Sequence, residues 1–464
     1  MKESLDRTVI VDYPKVKIPK KIPEVPNKIY EERVNKIKEN MVEQDFTHVI
    51  VYGDREHFAN IRFLTGYDPR FEETLLIIPL EETPILLVGN EGLDYAKIAK
   101  GVDLVLYQHF SLQGQPRNQS KSLNQIFNEA GITNISKVGL VGYKYDENNV
   151  FKTIHYTDIP FYIVDILTDI CGLDKVEDVT KWFTHPSNGY RIPATVDEIA
   201  RYEVANLIVY SGMKNAIESL EVGITEVEVA EKLDYNGLFP LSCHIVVAFS
   251  DNTKLALPSP TYQKLKLGDP VSIAFGIWGA NIARSGVAIT EPSELPSHIN
   301  DIHEKVFVPY FLMLHKWYKN IQVGVTGSEI YNSIKEYIED PFLGIKLNPG
   351  HQLREEEWIN SPFNSKSNDM LISGTILQCD INVPATLPYY GIHTEDGLVL
   401  ADQYLRKEIK EKYPHVWQRI IKRRSFLINQ LGYELHKDVL PLSDMQGFVT
   451  PYLLNPKLAL CFKK

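Results

Sequence analysis

Two residues apart in the run Gly391-Ile392-His393-Thr394-Glu395-Asp396-Gly397 stand a histidine and a carboxylate. The run reads as a strand, and on a strand residues i and i+2 share a face. His393 is therefore set beside Glu395. A histidine oriented by a neighbouring carboxylate changes charge near neutral pH and can take or give a proton, which is general acid–base chemistry. The same spacing also suits a histidine that is simply satisfied in a core or lies on the surface. The four cysteines, Cys171, Cys243, Cys379 and Cys461, are far apart and form no CxxC pair. They read as reduced thiols rather than as a disulfide framework or a zinc ribbon.

The elements that must hold these residues follow from the apolar pattern. Residues 1–30 are rich in Pro and Lys and read as an extended N-terminal arm. Over 31–188 the strands HVIVYG, TLLIIPL, PILLVG and KVGLVGY alternate with helical stretches, as a small α/β domain with a buried sheet requires. A second domain spans 189–401. It opens with a capping box at Thr195 and Glu198 and a long amphipathic helix carried by Ile199, Tyr202, Leu207, Tyr210 and Met213, ending at Gly223. The phrase Val222-Gly223-Ile224-Thr225 recurs as Val323-Gly324-Val325-Thr326, which suggests a duplicated unit. It equally suits coincidence, since Gly-x-Thr is a cheap helix stop and start. Residues 402–464 read as a C-terminal extension packed on the second domain.

With 464 residues the chain is long enough for two domains. A net charge of -11 argues against binding phosphate backbones, and the basic stretch Lys422-Arg423-Arg424 reads as a solvated helix face. No apolar run has the length of a membrane span and the N-terminus has no signal-peptide core, so no nucleic acid or membrane partner is expected and the location expected is cytoplasmic.

Five markers in order resemble one superfamily, that of aminopeptidase P, prolidase and creatinase. Asn60-Ile61-Arg62-Phe63-Leu64-Thr65-Gly66-Tyr67 is similar to the signature of creatinase-type N-terminal domains. The helix pair from Asp197 to Glu226, the turn Leu267-Gly268-Asp269, the motif Pro349-Gly350-His351 and the strand closing at Glu395-Asp396-Gly397 resemble successive markers of the catalytic domain. The fold implied is α/β and of two domains, a small α/β N-terminal domain followed by a pseudo-symmetric pita-bread domain. Homodimers are expected by the same analogy.

Metal-dependent relatives hold two divalent ions through two Asp, one His and two Glu, because carboxylates bridging a metal pair activate a water and clamp the oxyanion. The resemblance puts Ala274 and, by spacing, Ser285 at the two Asp positions. His351, Asp380 and Glu395 remain, with Asp380 one methylene shorter than the family Glu. Two further family histidines fall on Leu257 and Trp358. The resemblance therefore implies either no metal or a single divalent ion (Mn, Zn or Co) on His351, Asp380 and Glu395, and not a dinuclear centre. His393, His351 and Glu395 are the catalytic candidates. Arg284, beside Ser285, is read as a fixed cation for Asp380 and Glu395 or for a substrate carboxylate. Trp358 supplies an aromatic wall and His244 a second candidate base. The function implied is hydrolysis of a C–N bond in a small peptide, amide or guanidino compound. The alternative is an inactive pita-bread protein that binds a peptide or small molecule.

Overall fold

Apolar residues run almost unbroken through His48–Gly53, Thr74–Pro79, Ile85–Val88 and Val138–Val141, and every residue of these strands except Ile85 is buried. Such runs need cover on both faces. The computed structural model describes residues 8–147, 150 and 156–462. In it these strands join Asp103–Leu106 and Val176–Asp178 in a six-stranded mixed sheet, with His48–Gly53 central, parallel to Val138–Val141 and antiparallel to Thr74–Pro79. Alternate residues feed opposite cores: Ile50, Leu75 and Ile77 pack on one side, Val49, Val51 and Leu76 on the other. This sheet belongs to a unit of residues Val25–Arg191. Its first helix, Asn27–Glu43, begins inside the segment read as an extended arm.

The second unit comprises Met1–Glu24 and Ile192–Lys464, although the first seven residues of the arm and the last two of the tail lie outside the described residues. Within it Thr8–Ile10 pairs antiparallel with Leu458–Leu460. Two four-stranded antiparallel sheets make the frame. One runs Thr394–Glu395, Ala280–Val287, Pro270–Ile277, Val246–Phe249; the other runs His351–Gln352, Ile376–Gln378, Gly397–Leu400, Val439–Pro441.

The Val196–Glu218 helix starts at the expected capping box, with Thr195 Oγ1 accepting from the Glu198 backbone N–H and the Glu198 carboxylate accepting from the Thr195 N–H. It is buried nearly all round rather than along one stripe, and it stops at Ser219, short of Gly223. A central helix must then satisfy its polar residues internally. Glu203, fully buried, does so by accepting from Arg419 and Arg423 of the Pro414–Phe426 helix. Arg423 is thus buried, not part of a solvated face. The charged stretch after Asp402 forms two helices, Gln403–Lys412 and Pro414–Phe426, because Pro414 has no N–H to continue the first.

The echoed phrase marks true repetition. Gly223 donates to Leu265 O and Gly324 to Leu371 O, both at 2.8 Å; Leu265 donates to Ile224 O and Leu371 to Val325 O, both at 2.9 Å. Thr225 and Thr326 then each close a capping box, with Glu228 and with Glu329. The same backbone circuit is built twice, as a pseudo-symmetric domain requires. Among the described residues no helix is long and apolar enough to cross a membrane.

The Glu203 network makes the C-terminal helices part of this unit's core. Glu203→Ala should lower unfolding stability by about 3–5 kcal/mol, because two guanidinium groups lose a buried counter-ion. Chemical denaturation monitored by circular dichroism checks this.

Candidate metal and acid–base site

Three short strands deliver the candidate residues. His351 pairs with Gln378 across antiparallel strands and is fully buried. The preceding Gly350 has φ 106°, and a Cβ there would lie 2.5 Å from the Gln378 carbonyl oxygen, so only glycine lets this strand approach its neighbour. Asp380 follows two residues after Gln378. Glu395 lies opposite Ala283 in the other sheet.

Donor atoms of His351, Asp380 and Glu395 all lie within 4.8 Å of one another. His351 Nε2 is 3.7 Å from an Asp380 carboxylate oxygen and 3.6 Å from one of Glu395, beyond hydrogen-bond reach, and it has no hydrogen-bond partner. Trp358 stacks on the same imidazole with ring centroids 4.3 Å apart. On the far side of Asp380, His393 Nε2 is 2.6 Å from its other oxygen. The sequence paired His393 with Glu395; in the structure its hydrogen bond goes to Asp380.

Burial disfavours charge on all four groups, and their mutual fields redistribute it. Burial lowers His351 and His393, but the Glu395 and Asp380 carboxylates outweigh it and hold both imidazoles above their usual value. Burial would raise Asp380, but His393 and His351 hold it below the usual range. Glu395 is raised, by burial and then by the Asp380 charge. Two carboxylates with divergent proton affinities beside two imidazoles form a group able to hold and pass a proton.

Several residues here escaped the sequence reading. Asn281 Nδ2 donates to both Glu395 oxygens at 3.1 Å and to Glu357 at 2.9 Å, while Gln378 Nε2 donates to Asn281 O at 3.0 Å. Cys243 Sγ lies 3.9 Å from Asn281 Oδ1, and burial followed by the Glu357 and Glu395 charges pushes its thiol pKa up. An isolated Asn in the otherwise apolar start of the strand ANIARSGV was the one available signal. His244, next to Cys243, is exposed and bonds the Leu257 carbonyl at 2.9 Å.

Two expectations are corrected. Arg284 does not meet the Asp380 and Glu395 carboxylates. Its Nη2 bonds both oxygens of Asp396, at 2.9 and 2.8 Å, and the Met445 carbonyl, while Nη1 bonds the carbonyls of Ala283 and Glu395, all in a site 2% exposed. Neighbouring strand residues face opposite ways, so Arg284 shares a face with Asp396 and not with Glu395. Ser285, placed by spacing at the second Asp position, lies opposite Ser272 and donates its backbone N–H to His393 O. The residue opposite both Ala274 and Glu395 is Ala283.

The buried, unpartnered Nε2 facing two carboxylates fits one divalent ion, whose N and O ligands lie at about 2.0–2.2 Å. Ala274 and Ala283, on the strands across from Glu395, add no side-chain donor to this set.

Residues 200–402 match the sequence model of Metallopeptidase family M24. Similar solved structures include the prolidase from Pyrococcus horikoshii OT3, 17% identical over 80% of this chain and 95% of that one with TM-score 0.61. The Xaa-Pro dipeptidase from Bacillus anthracis is 15% identical over 81% and 96%, TM-score 0.60. The N-terminal domain of FACT complex subunit SPT16 from Cicer arietinum (chickpea) is 12% identical over 82% and 95%, TM-score 0.58. No curated protein matches the sequence. The chain has the two-domain α/β fold of these solved structures, and its residues 200–402 carry the sequence pattern of the M24 model.

If Arg284 anchors the strand rather than a ligand, Arg284→Ala should cost about 3–5 kcal/mol by stranding Asp396. A ligand-binding arginine would leave urea unfolding unchanged, and that result would contradict the assignment.

Proposed function

We propose that this protein is a hydrolase of the Xaa-Pro peptidase and creatinase type, acting on a C–N bond of a small peptide, amide or guanidino compound with one divalent ion where its relatives use two. The observation that carries the reading is His351 Nε2, buried without a partner between the Asp380 and Glu395 carboxylates. His351, Asp380 and Glu395 would hold the ion. Bound there, Mn, Zn or Co would act as a Lewis acid on a scissile carbonyl and lower the pKa of water.

The chain's own residues do the rest. His393, hydrogen-bonded to Asp380, is oriented to exchange a proton at Nε2. Asn281 holds the Glu395 carboxylate by both oxygens, fixing its direction. Trp358, 37% exposed, gives the substrate an apolar wall while shielding one face of His351 from water. A homodimer belongs to the same proposal.

The loss of donors at Ala274 and Ala283 favours a second reading, a non-catalytic protein that binds a peptide or small molecule in the same place. The SPT16 domain, which belongs to a subunit of the FACT complex, carries this fold too, so fold alone does not choose.

Purified protein loaded with Mn, Zn or Co should retain one ion per chain by elemental analysis, with His351→Ala retaining none. Loading should release protons near neutral pH, because a raised His351 must deprotonate to bind. The loaded protein should cleave Xaa-Pro dipeptides or guanidino acids, and His393→Ala should slow it about 10²–10⁴-fold. Loading without turnover of any such compound would favour the binder. In that case Ala274→Asp with Ala283→Asp, rather than a change at Ser285, is the variant expected to restore a second ion.

A further inference from the structure

Residues 354–358 pass beside the His351 cluster and carry three consecutive glutamates with different surroundings. Glu355 accepts from the Tyr202 hydroxyl at 2.9 Å, and Glu356 is 7% exposed. Glu357 is half-buried, and its Oε1 accepts from Asn281 Nδ2 at 2.9 Å. The same amide nitrogen reaches both Glu395 oxygens at 3.1 Å. The Glu357 and Glu395 carboxylates are therefore no more than about 6 Å apart, the two bonds laid end to end.

No protein cation balances this third carboxylate. Arg354 is spent on Glu198 and Arg284 on Asp396, and among the described residues neither a lysine nor an arginine pairs with Glu357. A divalent ion on His351, Asp380 and Glu395 would match the charge of its own two carboxylates and leave that of Glu357 over. The next residue, Trp358, is stacked on His351 and still 37% exposed. A carboxylate and an indole face each attract an organic cation, and together they favour it over a neutral group of the same shape.

We propose, building on the single-ion reading of this site, that Glu357 and Trp358 form a cation subsite that selects substrates by charge. It takes a small molecule whose ammonium or guanidinium group lies within a few ångströms of the bond held at Glu395. That cation donates to the Glu357 carboxylate and lies against the indole, while an uncharged amide or urea leaves the carboxylate to water. A glutamate kept only to hold Asn281 would be replaceable by glutamine, whose amide oxygen also accepts, and this separates the two roles.

Equilibrium dialysis of the manganese-equilibrated full chain tests the subsite with matched ligands. One pair is guanidinoacetate and its neutral isostere N-carbamoylglycine; the other is alanylproline and its N-acetyl form. In at least one pair the cation should bind about tenfold more tightly. The first pair reports a guanidinium and the second an ammonium. Glu357→Gln should erase that preference while leaving bound manganese and the affinity for the neutral ligand unchanged. Where a ligand is cleaved, KM takes the place of Kd. Equal affinity within both pairs, no saturable binding of either cation, a preference that survives Glu357→Gln, or manganese lost with it would each overturn the subsite. Cleavage is scored separately in the dialysate. Charge preference without cleavage sinks the hydrolase reading and keeps the subsite, and cleavage without charge preference does the reverse.

Discussion

The ion pair between Arg284 and Asp396 sets the geometry of the second unit. Both side chains are about 2% exposed, so each has given up its hydration, a penalty of several kcal/mol per ion. It is offset only by dense bonding, which is what is found: two contacts from Nη2 to the carboxylate, the Met445 carbonyl on the same nitrogen, and the Gly447 N–H on Asp396. With Asp396 held there, strand alternation leaves Glu395 one direction to face, toward His351 and Asp380. The pair lies on the opposite face of the strand from His351 and Asp380, yet it aims the carboxylate the chemistry would use.

Across the strands from Glu395 the side chains carry no charge. Ala283 and Ala274 lie across from it, and the groups that touch its oxygens belong to the neutral amide of Asn281. An amide donor lowers the cost of a buried carboxylate without fully replacing a metal charge. That agrees with Glu395 holding its proton more tightly than usual while Asp380, with an imidazole 2.6 Å away, releases its own more readily.

The repeated backbone circuit at Gly223 and Gly324 shows how the unit is assembled. Each copy ends one helix, ties the turn to a distant strand and caps the next helix with Thr and Glu. The tail then adds what neither copy has: Val439–Pro441 extends one sheet, and Arg419 and Arg423 neutralise the buried Glu203. The 443–447 segment joins the wall of a small cavity to the Arg284 and Asp396 pair, so both features rest on one stretch of chain.

By itself the sequence determined what is local or periodic. The apolar runs of the first sheet, the Thr195–Glu198 capping box and the echoed helix stop are written in neighbouring residues, and ordered motifs from Asn60 to Gly397 carried the resemblance in fold. His351, Asp380 and Glu395 were legible for the same reason, each lying inside such a motif. Tertiary structure alone decided which residues face one another. Strand register puts Ala283, not Ser285, opposite Glu395, and a shift of that kind cannot be counted off a hairpin whose length is unknown. Burial turned Arg284 from a candidate ligand into an anchor and Arg423 from a surface charge into a core one. In each case the deciding partner, Asp396 or Glu203, is more than one hundred residues away, where sequence spacing carries no distance information.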